Sequence, residues 1–392
     1  MAQREPALED MGSIMKGLEA FRGRSVFVTG HTGFKGSWLT LWLNRLGARV
    51  SGYSLTAPTA PNNFSTSRVR ELLASHASGD VRDTAQLQGA IEAARPEVIF
   101  HLAAQPLVRR SYVDPQLTLE VNVMGTTGVL ESVRKLGRPC VVIIVTSDKC
   151  YENHESARRH TETDSLGGSD PYSASKAAAE IVVEAYRESF FRPKDLLQHG
   201  VKVASVRAGN VIGGGDWAAD RIVPDTVKSA AANQTVRVRN PKAIRPWQHV
   251  LEPLSGYLTL AARMLENNDP ALCSGWNFGP NPSEEATVRD VVETLLQSWK
   301  SSKWEDASGT IQPHEESMLR LSNDKARVEL GWRPRWSFRE AVKHAGLWYH
   351  RFYSDPSGST REFCWQDISD YEATIPNEND SLQPFPELAH HS

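Results

Sequence analysis

Cysteine is scarce in this chain, and its spacing suits neither a metal site nor a disulfide framework. Structural zinc sites bring cysteines together in closely spaced pairs, and disulfide scaffolds are short chains rich in cysteine. Only four occur among the 392 residues, and they are widely separated: Cys140, Cys150, Cys273 and Cys364. We therefore expect free thiols and no metal.

Long hydrophobic runs are also missing. No stretch approaches the roughly 20 apolar residues that a membrane helix needs. The first 20 residues, which carry Glu5, Glu9, Asp10 and Glu19, do not resemble a signal peptide. These features predict a cytoplasmic protein that has no membrane partner.

An excess of basic charge is a third absence. Lys and Arg number 44 against 47 for Asp and Glu, so the formal net charge is −3. A chain without a basic field is not expected to bind nucleic acid. The 40% hydrophobic content instead suits a globular enzyme built from two interlocked domains.

Glycine is concentrated where an apolar run meets a helical pattern. Residues 27–36 read Phe-Val-Thr-Gly-His-Thr-Gly-Phe-Lys-Gly. Glycine lets the backbone approach a pyrophosphate, whose charge is stabilised by free N–H groups and by the N-terminus of the following helix. Glycines at this spacing also occur in ordinary tight turns. The β-like run before them and the apolar period of residues 38–46 favour a dinucleotide site.

Short β-like runs alternate with helical segments along the first half of the chain. This alternation implies right-handed βαβ crossovers and a mostly parallel sheet. We predict an α/β fold, a doubly wound Rossmann-type parallel sheet with a smaller C-terminal α/β substrate domain. The runs are Ser25–Val28, Arg49–Tyr53, Val98–Leu102, Val141–Thr146 and Val201–Val206.

The rhythm breaks after Arg207, at the glycine-rich segment 213–216. The chain is expected to leave the sheet there, so that ligand lies between the two domains. The predicted boundaries are an N-terminal extension at 1–21, a dinucleotide-binding domain at 22–207 with a returning segment at about 242–275, a substrate-binding domain at 208–241 and 276–354, and a C-terminal tail at 355–392.

A second motif places a tyrosine and a lysine four residues apart. Asp170 suits a helix N-cap and Pro171 the first helical position, so Tyr172 and Lys176 fall on one helix face. A tyrosine with a pKa near ~10 acts as a base at neutral pH only beside a cation. An exposed pair worth a few tenths of a kcal/mol is the alternative, but the upstream glycine loop favours catalysis.

Taken in chain order, these motifs resemble the extended short-chain dehydrogenase/reductase family. The resemblance covers roughly residues 24–350 and implies a bound NAD. It is carried by Thr29-Gly30-x-x-Gly33-x-x-Gly36, Asp80-Val81, His101-Leu102-Ala103-Ala104-Gln105, Asn122 and Tyr172-x-x-x-Lys176.

The resemblance also implies residue roles. Asp80 and Val81 would border the adenine and residues 103–105 the nicotinamide side, whereas Asn122 either takes part or only satisfies local backbone groups. Tyr172 would act on the reacting hydroxyl and Lys176 on the ribose. The implied cofactor-binding residues are Gly30, His31, Thr32, Gly33, Phe34, Lys35, Gly36, Asp80, Val81, Ala103, Ala104, Gln105, Tyr172 and Lys176.

The cofactor motif of this chain differs from that of related proteins at two places. Residues 52–55, Gly-Tyr-Ser-Leu, lack the carboxylate that commonly binds the adenosine ribose, so charge does not decide between NAD and NADP. His31 is bulky where relatives often have a small residue. It either crowds the cofactor and weakens NAD binding, which a His31→Gly variant would reveal, or merely lines the loop.

The reaction depends on Ser147, Asp148 and Lys149, at the end of a predicted strand. A sugar epimerase only removes and returns a hydride, whereas dehydration also needs a base for H5 and an acid for the departing C6 hydroxyl. An incidental ion pair in a surface turn is the alternative. The triplet resembles the variant seen in CDP-D-glucose 4,6-dehydratases, as do residues 29–38, Asp170-Pro171-Tyr172-Ser173 and Arg245-Pro246-Trp247-Gln248-His249.

Assigning the acid and the base raises an energetic difficulty. Reference pKa values of ~3.9 and ~10.4 favour carboxylate plus ammonium over acid plus amine by roughly 9 kcal/mol. A closed, dry cleft and a nearby cation reduce this difference. We expect Asp148 to be the acid and Lys149 the base, with a Lys149 ammonium that stabilises a C4 enolate as the competing role. Ser147 would bind the sugar hydroxyl, or only satisfy backbone groups.

A nucleotide diphosphate needs further cationic and N–H donors. The resemblance implies that Asn210 and Arg221 lie along the diphosphate and that Arg245 reaches a phosphate. His314 would border the nucleotide. Each of these residues alone is also common as an exposed or capping side chain.

These features predict a nucleotide-sugar 4,6-dehydratase in deoxysugar biosynthesis with NAD as cofactor, and the resemblance alone implies CDP-glucose as the small-molecule substrate. A dTDP-glucose dehydratase, a 4-epimerase and a noncatalytic NAD-binding scaffold are the alternatives. The helices after Arg110 and Pro171 often pair in this family, which implies a homodimer or homotetramer.

Overall fold

The computed structural model describes residues 17–153, 158–297, 299, 303–309, 318–355 and 359–375. The described strands are β1 Ser25–Thr29, β2 Arg49–Ser54, β3 Ser75–Ser78, β4 Val98–His101, β5 Cys140–Val145, β6 Val201–Ala208, β7 Val211–Ile212, β8 Val236–Val238, β9 Ile244–Arg245, β10 Gln248–His249, β11 Gly275–Phe278, β12 Ala286–Thr287 and β13 Trp304–Asp306. Seven of them form a central parallel sheet of order β11-β6-β5-β4-β1-β2-β3.

Helices connect these strands. In chain order they are α1 Phe34–Arg45, α2 Asn63–Thr66, α3 Thr84–Ala94, α4 Val108–Val113, α5 Pro115–Leu119, α6 Gly125–Leu136, α7 Pro171–Ser189, α8 Leu196–His199, α9 Ile222–Ala231, α10 Leu251–Glu266, α11 Val288–Leu296, α12 Asp324–Glu329, α13 Phe338–Ser354 and α14 Thr360–Glu372. Within the described part of the chain, no helix is long and apolar enough to cross a membrane.

The sheet is covered on both faces, as predicted. β5 reads Cys-Val-Val-Ile-Ile-Val and is buried along its whole length, which is typical of a central parallel strand. Its alternate residues point to opposite sides. Val142 and Ile144 join the core with α3, α6 and α7, whereas Val141 and Ile143 join the core with α1 and α10. The predicted doubly wound Rossmann-type fold is therefore confirmed.

The strand order reverses at β1, whose neighbours are β2 on one side and β4 on the other. In open α/β sheets a ligand binds outside the carboxyl ends of the strands at such a reversal. The glycine loop follows β1 directly, and the segment with Asp148 follows β5. Both therefore lie at the same edge of the sheet.

The second part of the molecule consists of short pairs of strands and several helices. β7 pairs with β10, β9 with β12 and β8 with β13, and α9, α11 and α13 pack nearby. The chain returns to the main sheet through α10 and β11, which pairs with β6. The exact division into domains remains a prediction.

Part of the predicted C-terminal tail is a core element. Residues 360–372 form α14, whose Cys364, Ile368 and Tyr371 are fully buried. Tyr371 packs edge to face on Trp42 of α1 with ring centroids 5.7 Å apart. The i, i+4, i+7 spacing of the three buried residues is that of an amphipathic helix, although polar neighbours hide it in the sequence.

Candidate active site

The glycine loop can follow its close-packed path only because it lacks side chains at two positions. Gly30 has φ +74°, and a Cβ there would lie 2.7 Å from the Ala103 nitrogen. A Cβ on Gly36 would overlap the Gly30 carbonyl. Gly33 precedes α1 and offers no side-chain cap, so the first N–H groups of the helix remain available for an anion. These residues fit the pyrophosphate of a dinucleotide.

His31 lies beneath this loop. Its ring is fully buried, its Nε2 is 2.7 Å from His76 Nδ1, and a Cβ on Gly52 would collide with it. Burial and the neighbouring His76 lower the pKa of His31 to about 4, so the ring is neutral at physiological pH. This position favours the interpretation that His31 lines the loop. A weaker NAD affinity caused by the ring remains a prediction.

The end of β2 presents hydroxyl groups where many dinucleotide-binding proteins have a carboxylate. The Thr32 hydroxyl is 2.8 Å from the Ser54 hydroxyl and donates to the Leu55 carbonyl at 2.9 Å. Neutral hydroxyls bind a ribose hydroxyl without repelling a phosphate. Charge at this strand end therefore leaves NAD and NADP undistinguished.

Asp80 and Val81 follow β3. The Asp80 carboxylate pairs with Arg82 at 2.8 Å, and hydrogen bonds from Arg82 lower its pKa. Val81 is buried against Gly125, where a Cβ would lie 2.7 Å from the Val81 Cγ2. Contact of these two residues with an adenine remains a prediction.

Asn122 holds the segment after β4. Its amide oxygen accepts from the Gln105 N–H at 2.8 Å, and its amide nitrogen donates to the Gln105 carbonyl at 3.1 Å and to Ser175 Oγ at 2.8 Å. Asn122 thus links residues 103–105 to α7. Of the two roles considered for it, these contacts favour the structural one.

Ser147 and Asp148 lie just beyond the regular end of β5, where a 3₁₀ turn at Asp148–Cys150 releases the backbone from strand alternation. The Ser147 hydroxyl donates to Asp148 Oδ1 at 3.0 Å and accepts from the Lys149 N–H at 3.3 Å. Asp148 is only 3% exposed, whereas Lys149 is half-buried. The triplet therefore forms an ordered turn at the sheet edge.

Tyr172 and Lys176 approach this turn from α7. The helix begins as predicted, with the Asp170 carboxylate accepting from the Ser173 N–H at 2.9 Å and Pro171 in the first turn. The Tyr172 phenol forms a hydrogen bond with Ser147. The Lys176 ammonium lies 3.4 Å from the Val145 carbonyl. The phenol, the Ser147 hydroxyl and the Asp148 carboxyl form one connected network.

Burial sets the titration of this network. It raises the pKa of Tyr172 to about 12, while the hydrogen bond to Ser147 and the positive charge of Arg221 oppose the rise. Burial also lowers the pKa of Lys176 to about 8, against the effect of Glu180. The phenol is therefore protonated at neutral pH, and its ionisation requires additional positive charge.

Lys35 belongs to the same electrostatic environment. The sequence indicated it only as a member of the glycine loop. Burial and the charges of Arg221 and Lys176 lower its pKa to about 7, whereas Asp148 opposes this change. Lys35 thus interacts electrostatically with two other cations, Arg221 and Lys176, and with the buried carboxyl of Asp148.

The predicted substrate residues are placed unequally. Arg221 pairs with Asp216 at 2.8 Å, and its charge acts on Tyr172. Gly209 packs against both the Pro246 ring and Asp148 Oδ2 at the edge of the site, so closely that a Cβ on it would meet them. Asn210 follows Gly209 in the chain and Arg245 precedes Pro246, so both lie next to this contact. His314 lies outside the described residues.

A buried carboxylate that sequence reasoning missed joins the two catalytic segments. Glu180 accepts hydrogen bonds from Thr146 and Ser205 and forms an ion pair with Arg207 at 2.7 Å. Glu180 follows Lys176 by four residues, so the helical spacing alone could have placed it on the face with Tyr172. It ties the end of β5 to α7.

Comparisons with known proteins agree with this geometry. The family model described as GDP-mannose 4,6 dehydratase matches residues 27–345. A CDP-glucose 4,6-dehydratase of Salmonella typhimurium is 48% identical over 352 residues, which are 90% of this chain and 97% of that protein. A dTDP-glucose 4,6-dehydratase of Xanthomonas campestris is 25% identical, over 82% of this chain and 92% of that protein.

Solved structures show the same fold. A UDP-glucose 4-epimerase of Thermus thermophilus in complex with NAD has a TM-score of 0.69 at 25% identity, covering 83% of this chain and 98% of that one. DesIV, a dTDP-glucose 4,6-dehydratase of Streptomyces venezuelae, has a TM-score of 0.69 at 24% identity, covering 84% and 99%. The second likeness shows the fold alone.

Proposed function

This chain belongs to the GDP-mannose 4,6-dehydratase family, and on that basis we propose that it converts CDP-D-glucose to CDP-4-dehydro-6-deoxy-D-glucose and water. It is a hydro-lyase that uses NAD. The assignment of CDP-glucose as the substrate rests on the 48% identity to a CDP-glucose 4,6-dehydratase, which extends over nearly the whole length of both chains.

The chemistry divides into oxidation at C4, elimination of water across C5 and C6, and reduction at C6. NAD held by the glycine loop and the N-terminus of α1 would supply the hydride transfer from C4 to C6, and no net reduction of the cofactor would result. The residues of this chain supply the proton transfers and hold the sugar in place. Each of these steps needs a group at the sheet edge described above.

Tyr172 acts as the base for the C4 hydroxyl. Its phenol forms a hydrogen bond with Ser147, and this bond and the positive charge of Arg221 oppose the rise in pKa that burial causes. The positive nicotinamide ring of NAD, when bound near Tyr172, would favour the phenolate further. Ser147 orients the phenol and the sugar hydroxyl, and Lys176 holds the ribose.

Asp148 acts as the acid for the departing C6 hydroxyl. The Ser147 hydroxyl donates to one carboxyl oxygen at 3.0 Å, which fixes the side-chain orientation. Its near-complete burial keeps bulk water away from the proton that it delivers. Asp148 and Tyr172 both form a hydrogen bond with Ser147. The acid for elimination and the base for oxidation therefore lie next to each other.

Lys149 supplies the base that removes H5. A Lys149→Met variant is expected to lower the exchange of H5 with solvent by about 10²-fold or more, because methionine keeps the side-chain length but accepts no proton. Exchange is measured by the deuterium content at C5 after incubation with CDP-glucose in D₂O.

A Lys149→Arg variant serves as the matched control for the competing role. It retains a positive charge but does not act as a base at neutral pH. Undiminished exchange in Lys149→Met would reject the base assignment. Full exchange in Lys149→Arg with loss in Lys149→Met would instead support an ammonium that stabilises the C4 enolate.

Positive charge around the site suits the substrate diphosphate. Arg221, Asn210 and Arg245 bind the phosphates in this proposal, and His314 borders the nucleotide. The preference for cytosine rests on the similarity to the Salmonella relative.

The protein acts as a homodimer or homotetramer in this proposal. Apolar side chains are exposed on α4, on and just after α7, and on the π-helical segment Glu120–Met124 between α5 and α6, namely Val113, Ile181, Phe190 and Met124. Pairing of these helices would remove the side chains from water. Light scattering of the purified protein tests this assembly. The buried free thiols and the nucleotide-sugar substrate are consistent with a cytoplasmic enzyme.

A panel of CDP-, dTDP-, UDP- and GDP-glucose tests the proposed function. Mass spectrometry of each mixture should show the loss of one water, fastest with CDP-glucose. A C4 epimer without water loss would favour an epimerase. Inactivity against every nucleotide sugar, with NAD still bound, would favour a binding scaffold.

A further inference from the structure

A glycine-rich loop at residues 213–217 is held tightly against α1 and α13. The Trp38 indole donates to the Gly214 carbonyl at 2.9 Å, and a Cβ on Gly214 would overlap the Trp348 ring. Gly215 has φ +84°. The loop therefore has one close-packed path, and substitutions at its glycines cannot be accommodated without movement.

Helix α13 also fixes the backbone of Asp216. The Tyr349 hydroxyl accepts from the Asp216 N–H at 2.9 Å and donates to the Asp216 carbonyl. Trp217 then packs on Phe352 with ring centroids 4.9 Å apart. One phenol thus satisfies both backbone groups of Asp216 and sets the direction of its side chain.

The Asp216 side chain makes two different contacts. One carboxyl oxygen accepts from the Ala218 N–H at 3.0 Å and closes a local turn. The other accepts from Arg221 Nη1 at 2.8 Å. Asp216 is nearly inaccessible to solvent, while the Arg221 side chain keeps 33% of its surface exposed.

From this position Arg221 is close enough to two active-site residues to interact with them electrostatically. Its charge acts on the Tyr172 phenol and on Lys35. It also immediately precedes α9, whose N-terminal end adds partial positive charge. Only one of its five N–H donors is engaged by Asp216, so others remain to bind an anion.

We propose that Asp216 is a positioning residue that orients the Arg221 guanidinium toward the diphosphate of the nucleotide sugar. The proposal rests on the proposed function, because it takes a diphosphate as the ligand of Arg221. An arginine already held in its binding orientation loses less side-chain entropy when the anion binds. Tyr349 of α13 holds the Asp216 backbone within the close-packed loop, and Asp216 in turn holds the Arg221 guanidinium.

An Asp216→Asn variant tests the proposal. The amide still accepts from the Ala218 N–H but no longer presents a carboxylate to Arg221. With NAD-bound enzyme, calorimetric titration with CDP should show about tenfold weaker binding than wild type, and KM for CDP-glucose should rise more than kcat falls. A purely structural role would lower the folded fraction and leave KM unchanged.

A double-mutant cycle with Arg221→Met tests whether Asp216 affects CDP binding through Arg221. If Asp216 acts through Arg221, the double variant binds CDP no more weakly than Arg221→Met alone. Additive losses would contradict the proposal. Asp220→Asn is the matched control, because Asp220 lies in the same segment and pairs with Arg239 at 2.7 Å at the surface. Its CDP affinity should stay within about twofold of wild type.

Tyr349→Phe provides a second test should Asp216→Asn fail to fold. It keeps the carboxylate but removes the hydroxyl that holds the Asp216 backbone, and a weaker affinity for CDP is expected. Unchanged CDP affinity in every folded variant would overturn the inference. Wild-type enzyme that does not bind CDP would overturn the proposed function and the inference with it.

Discussion

Replacement of Tyr172 by phenylalanine is expected to lower turnover of CDP-glucose by about 10³-fold, because the C4 hydroxyl loses its base before hydride transfer. The change removes one buried hydroxyl and its hydrogen bond to Ser147, and it keeps the packing of the ring. Rapid mixing with CDP-glucose should show no formation of reduced cofactor. Steady-state mass spectrometry measures the accompanying loss of product.

Tyr186→Phe is the matched control for this prediction. Tyr186 lies near the other end of the same helix, fourteen residues after Tyr172, and its hydroxyl donates to Glu131 at 2.7 Å. Its turnover should stay near that of wild type. Tyr172→Phe enzyme that keeps a tenth or more of wild-type turnover would contradict the role of the phenol as base.

Replacement of Asp148 by asparagine is expected to separate oxidation from dehydration. The amide retains the shape of the side chain and a partner for Ser147 but delivers no proton to the C6 hydroxyl. Water loss should fall by about 10²- to 10⁴-fold, the range for removal of a general acid. Reduced cofactor should accumulate on the enzyme after mixing with CDP-glucose, because oxidation at C4 still proceeds.

The absorbance of reduced cofactor and the mass of the sugar product report these two steps separately. Asp170→Asn is the control, because asparagine still caps α7 and the variant tests the loss of a carboxylate near Tyr172. It should dehydrate within about threefold of wild type, since asparagine and aspartate are similar N-caps. Normal water loss in Asp148→Asn would exclude this carboxyl as the acid.

The cofactor loop and the start of α7 could be predicted because their signals are local. Gly30 has a positive φ and Gly36 lies too close to the backbone of Gly30 for a side chain. The spacing of the glycines predicts both features. Asp170 and Pro171 mark a helix start within a few residues. Five strands of the sheet could be predicted for the same reason, since each is a short β-like run that alternates with a helical segment.

Elements whose stability depends on distant partners escaped sequence reasoning. β3 reads Ser-His-Ala-Ser and is a strand only because it pairs with β2 at the sheet edge. α14 is polar in sequence, yet it buries Cys364, Ile368 and Tyr371 against residues that precede it by some 300 positions. Neither element has a pattern that reveals its partner.

The electrostatics of the site were also beyond the sequence. Lys35 belongs to the glycine loop in sequence, and only the fold brings its charge beside Asp148, Lys176 and Arg221. The Asp216–Arg221 pair is five residues apart and looks like an ordinary surface pair until Tyr349 is seen to hold it. Residue spacing predicts which groups are present, whereas packing decides which charges meet.

The central claim is that one hydride leaves C4 and returns to C6 of the same sugar without release of reduced cofactor. It is tested most directly with CDP-glucose that carries deuterium at C4, followed by mass spectrometry and NMR of the product. The account predicts that the deuterium appears at C6 with no stoichiometric release of reduced cofactor. Deuterium lost to solvent, or retained at C4, would contradict it.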